Sequence, residues 1–287
     1  MPYISFFPKV AELSSNTSEP VSSRSPISKA ELITLLAMLS ATVAFSIDAM
    51  LPALPNIGQD LSPLDPQRSQ LVIATFVFGM GLGTLFTGPM SDAFGRRAIV
   101  VGGSIIYVAS ALVAAIANSL EVLLLARAIQ GIGAAGPRVA MLAIIRDLFA
   151  GRVMARITSF VMTVFTLVPV FAPTIGAGLQ WMFGWRSIFY AFAVFSIVSA
   201  LWLMLRQPET LAPENRRPFR TRILLRGFVE VFSSRQVVIA ILAQTMLFGM
   251  LFAALMSSHA VFAEIYDKEA TFALWFGAMA AISASSS

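Results

Sequence analysis

Gly88-Pro-Met-Ser-Asp-Ala-Phe-Gly-Arg-Arg97 is a short polar stretch with a long apolar run on either side. It supplies two glycines, Gly88 and Gly95, where a chain leaving one helix must turn sharply. It also carries one acid, Asp92, and two adjacent arginines, Arg96 and Arg97, before apolar sequence resumes. A soluble protein gains nothing from so compact a charged turn between two apolar runs of membrane-spanning length. At a cytoplasmic membrane face the pattern has a reason. The arginines hold the turn on that side, and Asp92 can accept hydrogen bonds from arginines or from a helix N-terminus.

Working outward, apolar segments of about 20 residues run over 32–54, 70–86, 98–117, 122–145, 158–181, 187–205 and 237–262, and an eighth begins near residue 270. Lysine and arginine fall on alternate connections. One set holds Lys9, Arg24 and Lys29, then Arg96 and Arg97, then Arg146, Arg152 and Arg156, then the arginines from Arg206 to Arg235. The other set holds only Arg68, Arg186 and Lys268. This asymmetry predicts that the N-terminus and the even-numbered helix ends are cytoplasmic.

Composition agrees: 57% of the 287 residues are hydrophobic and 12% charged, against about 25% charged in a soluble domain. The reading is an all-α polytopic membrane protein. The net charge of +5 does not indicate nucleic acid, because the basic residues sit in short connections and not on a polar domain. The chain has no cysteine, so disulfides and thiolate metal sites are excluded. His259 is the only histidine, and no metal-ligand, nucleophile or phosphate-loop pattern stands out, so neither an enzyme nor a cofactor is expected. Residues 1–30 are polar, rich in Ser and Pro, and lack a signal-peptide core; they read as a disordered cytoplasmic tail or as a misassigned start. Residues 31–205 read as a six-helix bundle. Residues 206–235, basic and broken by Pro208, Pro213 and Pro218, read as a linker suited also to anionic lipid, and 236–287 as the start of a second bundle.

Two charges interrupt the apolar runs. Asp48 lies in the first span, where a carboxylate is costly and becomes a candidate for taking up and releasing protons. The alternative is a solvated acid that ends the helix before Pro52. Arg127 lies in the fourth span, with Gln130, Gly131 and Gly133 beside it on a packed, inward-facing stretch; the alternative is a snorkelling arginine. Helical rise from the outer ends puts Asp48 about 6 Å and Arg127 about 10 Å deep, so the two could exchange partners when substrate arrives. Arg138 follows three turns further in, with a structural and a functional reading equally open. Gly79, Gly83, Gly131 and Ala135 have the spacing of close helix packing. In the fifth span, Pro169 and Ala172-Pro-Thr-Ile-Gly-Ala-Gly178, with Pro173 and Gly176, predict a bend that is either a hinge or a static kink.

These motifs resemble the major facilitator superfamily: Gly88 to Arg97 its loop 2/3 signature, Arg127 to Ala135 its helix 4 signature, and Ala172 to Gly178 its antiporter motif. Asp48-Ala-Met-Leu-Pro-Ala-Leu-Pro55 and Arg146-Asp-Leu-Phe149 are similar to the bicyclomycin/chloramphenicol-resistance branch (Bcr/CflA) of drug:proton antiporters. The match runs from about Glu31 to the end.

The resemblance implies two six-helix bundles, of which this chain holds the first and about two helices of the second. It implies that Asp48, Arg127 and Gln130 couple proton and substrate. It also implies that Gly88, Asp92, Gly95, Arg96, Arg97 and Asp147 form a cytoplasmic latch. The expected partners are a small drug or metabolite, protons and lipid, the proton gradient is the energy source, and the molecule is a monomer of the bacterial inner membrane. Three departures stand out: Ala93 replaces a basic residue, Ala172 and Ala177 replace glycines, and the chain ends within the eighth helix. The alternatives are a truncated, non-transporting fragment or an uptake carrier.

Overall fold

The computed structural model describes residues 27–219, 227, 229–266 and 271–285. Most of the N-terminal tail and part of the basic linker lie outside them. Helix α1 (Lys29–Asp48) opens on Ser28, whose hydroxyl accepts the Glu31 N–H at 3.1 Å, and stops at Asp48. Two prolines then restart the chain: Pro52 in the 3-10 turn Leu51–Ala53 and Pro55 at the start of α2 (Leu54–Leu61). Regular α-helix in the first span therefore gives way to a 3-10 turn just after Asp48.

The chain continues through α3 (Leu71–Phe94), α4 (Arg96–Ala115), α5 (Leu120–Leu148), α6 (Gly151–Phe183), α7 (Arg186–Arg206), α8 (Arg235–Glu264) and α9 (Phe272–Ser285). No strand occurs among the described residues. Among the described residues seven stretches are long and apolar enough to cross a membrane, and Ile105, Leu125, Phe171 and Val194 lie exposed on outward faces. The protein is a multi-pass membrane protein.

The sharp turn expected at Gly88 is not there. Helix α3 runs through Gly88 and Pro89 to Phe94, two turns beyond the expected end of the span. Proline forfeits only the one bond to the Leu85 carbonyl, which costs little near a helix end. A β-carbon on Gly88 would meet nothing within 4 Å, so nothing demands a glycine there. The reversal is made by Gly95 alone, at φ 99° and ψ 160°, a conformation that side chains disfavour.

Helices α3 and α5 touch backbone to backbone. A β-carbon on Gly79 would collide with the Ala128 carbonyl, and one on Gly131 with the Phe76 carbonyl. Helix α6 crosses the end of α1 in the same way, Gly176 lying on the carbonyl of Ala49. Helix α9 lies against α6 at Val170, and its Phe272 and Phe276 join the same apolar core as Phe189 and Phe192 of α7. At the arginine-poor end, Arg186 pairs with Asp60 at 2.8 Å and Arg68 with Glu121 at 3.4 Å.

Candidate functional site

The interior site begins where α1 breaks. Asp48 is 5% exposed, and its carboxylate has no hydrogen-bond or ion-pair partner among the described residues. Its neighbours Ile47, Ala49 and Met50 belong to the apolar core. A charge at membrane depth costs about 3 kcal/mol, and here no protein group offsets it. Pro173 and Gly176 of α6 are buried against this break, with Pro169 one turn away and half-buried. Helix α6 nevertheless runs unbroken through both prolines.

Arg127 of α5 is fully buried and is held by neutral oxygens. Its Nε donates to the Val72 carbonyl at 3.1 Å, Nη1 to Gln130 Oε1 at 2.8 Å and Nη2 to the Ser46 carbonyl at 2.9 Å. The Phe76 ring lies 4.3 Å from the guanidinium carbon, and Phe189 and Phe192 stand about it at 5.9 and 6.0 Å. The snorkelling alternative is set aside by this burial.

Asp48 and Arg127 share a bundle but do not pair in this conformation. Arg127 reaches α1 at Ser46, two residues and about 200° of helical turn from Asp48. The Ser46 hydroxyl donates to the Thr42 carbonyl at 2.6 Å and meets the Tyr107 hydroxyl of α4. Sequence reading passed over Ser46 and Tyr107, because a hydroxyl in an apolar run is common and carries no spacing signal.

At the arginine-rich end the charges meet directly. Arg96, 7% exposed, donates from Nη1 to Asp92 at 2.6 Å and Ser91 at 3.0 Å, and from Nε to Asp147 at 3.0 Å. One guanidinium thus ties the end of α3 and the start of α4 to the exit of α5. Arg97 stands apart from that cluster and donates to the Met204 carbonyl of α7 at 2.6 Å.

Glu209, in the basic stretch after α7, completes the end. Its carboxylate accepts the backbone N–H groups of Arg96 at 2.9 Å and Arg97 at 3.1 Å, capping the N-terminus of α4. The Thr210 hydroxyl donates to Asp147 at 3.0 Å, and the Arg217 N–H to the Asp92 carbonyl at 3.0 Å. The first part of the expected linker therefore folds back over the α3/α4 turn. The available signal was an acid shortly after a helix end, too common to single out.

Among the described residues no group of three or more His, Cys, Asp or Glu could hold a metal ion.

The family profile for "Major Facilitator Superfamily" matches residues 35–287. A bicyclomycin resistance protein homolog of Haemophilus influenzae is 34% identical over 234 residues, covering 82% of this chain and 58% of the relative. A chloramphenicol resistance protein of Pseudomonas aeruginosa is 32% identical over 184 residues, covering 64% and 44%. The chain thus spans about three-fifths of the first relative's length. In three dimensions it is similar to a D-xylose-proton symporter, with a TM-score of 0.67 at 16% identity over 90% of this chain and 67% of the other. With the helix order and the two charge sites in place, these matches fix the family: the chain belongs to the Major Facilitator Superfamily, a family of transporters and not of enzymes, on the branch of the bicyclomycin- and chloramphenicol-resistance proteins.

Proposed function

We propose that the protein, in the bacterial inner membrane with its N-terminus cytoplasmic, exports small amphipathic drugs in exchange for protons. The observation that carries this reading is the buried, unpartnered carboxylate of Asp48 at the break in α1. An acid in that setting gains by holding a proton when shielded and releases it when water or a cation reaches it. Arg127, already satisfied by the carbonyls of α1 and α3, keeps a positive charge in the same bundle and favours release as the helices shift. Gln130 fixes the guanidinium.

Proton binding then biases the approach of α6 to α1 at Gly176, with Pro169 and Pro173 lowering the cost of bending α6. At the cytoplasmic end, Asp92, Gly95, Arg96, Arg97 and Asp147 hold α3, α4, α5 and α7 together while the cavity faces outward. Gly88 has no part in that hold. Substrate sits between two bundles near the midplane, and rocking of one against the other gives alternating access. The names of the resistance relatives favour drugs as substrates. The working unit is a monomer that needs no cofactor beyond the proton gradient.

Asp48→Asn tests this in cells carrying the protein from its intact gene. The expected result is loss of drug resistance and of pH-gradient-driven efflux, with the variant present in the membrane at wild-type abundance. Unchanged resistance in that variant overturns the assignment.

A further inference from the structure

Arg127 and Arg138 lie on the same side of α5, about 17 Å apart and about 20° out of line, because eleven residues make just over three full turns. The exposed apolar stripe of the helix, Val122, Leu125, Ile129 and Ile132, is centred on the opposite side. Arg138 therefore faces the inside of the bundle and not lipid. The two arginines differ in what they touch. Arg127 makes three hydrogen bonds to oxygen. Arg138 has a thioether, Met80 Sδ on α3, at 3.9 Å and the Phe165 ring on α6 at 5.7 Å.

No carboxylate lies within 4.0 Å of Arg138 among the described residues, and it is half-buried although it points inward. What remains exposed of Arg138 therefore lies on the inward side of α5, beside Met80 of α3 and Phe165 of α6. A guanidinium in such a place has donors to spare and a strong preference for an anionic partner. Met80 and Phe165 flank it with polarizable apolar surface, which suits the body of an amphipathic molecule whose head is charged.

We propose that Arg138 is a specificity residue that receives the anionic head of a substrate, so that the transported range includes amphipathic carboxylates. This rests on the export reading above and adds a substrate class to it. The test uses the intact gene product in proteoliposomes of purely zwitterionic lipid, which removes anionic headgroups as competing occupants. Under an imposed pH gradient, efflux of nalidixate, an aromatic monoanion, is compared with that of chloramphenicol, a neutral drug of similar size.

The expected result is that Arg138→Ala lowers the nalidixate-to-chloramphenicol ratio about tenfold, the loss of one charge-assisted contact, and that Arg138→Lys recovers most of it. Arg138→Gln, which keeps a polar side chain but removes the charge, replaces the alanine variant if that fails to reach the membrane. An unchanged ratio in these variants, or a wild-type protein that moves chloramphenicol but not nalidixate, overturns the inference while leaving the export reading intact. A wild-type protein that moves neither drug overturns the export reading, and this inference with it.

Discussion

Arg96 and Arg127 are both buried arginines, and they are satisfied by opposite means. Arg96 is neutralised on the spot by Asp92 and Asp147. Arg127 is surrounded by carbonyls, an amide and aromatic faces, while Asp48, an acid in the same bundle, has no partner among the described residues. Charges that cancel locally around a buried guanidinium make a joint, because breaking one pair leaves a charge without its partner. Charges kept apart leave a residue whose protonation the rest of the bundle can bias. On the proposed function, the arginine-rich end is the part that holds and the interior is the part that responds.

The largest effect expected on stability is at the interior arginine. Arg127→Ala removes three charge-assisted hydrogen bonds and leaves a cavity at a fully buried site, so it should destabilise the bundle by about 3 kcal/mol or more. Unfolding of the purified protein by SDS titration measures this, and a near-wild-type midpoint would break the contrast. Arg96→Gln comes next, at about 2 kcal/mol, because it leaves two carboxylates facing each other. A double-mutant cycle sharpens the point: Asp147→Asn should cost much less once Arg96 is gone than in the wild type. The smallest effect is Glu209→Gln, which keeps an acceptor but removes the charge at the start of α4. It should cost about 0.7 kcal/mol and speed amide exchange at Arg96 and Arg97 about threefold.

Much of this layout could be read before any helix was placed. Asp48, Arg127 and Arg96 stand out as charges in or beside apolar runs, whereas Asp147 is picked out only by the resemblance of Arg146-Asp-Leu-Phe149 to the family. The small-residue spacing at Gly79/Gly83 and Gly131/Ala135 points to close helix packing without naming the partners; in the structure Gly79 and Gly131 are where α3 and α5 meet, since only a missing β-carbon admits the facing carbonyl. The turn was misplaced at Gly88 because proline and glycine punctuate loops in general. They also tolerate the last turns of a helix, and only the backbone angles single out Gly95. Glu209 was missed for a different reason. Its role depends on the chain after α7 folding back by more than a hundred positions to cap α4, and nothing local to Pro208-Glu-Thr210 encodes that return. The failure of Asp48 and Arg127 to meet shows the same limit: equal depth along two helices says nothing of which way each side chain faces.

The most direct measurement is proton release on drug binding, followed with an indicator dye in weakly buffered detergent solution of the purified protein. Wild type and Asp147→Asn should both release a proton when chloramphenicol is added, and Asp48→Asn should bind the drug without releasing one. Proton release that survives Asp48→Asn, or that disappears with Asp147→Asn alone, would contradict the division of the molecule into a responsive interior and a fixed end.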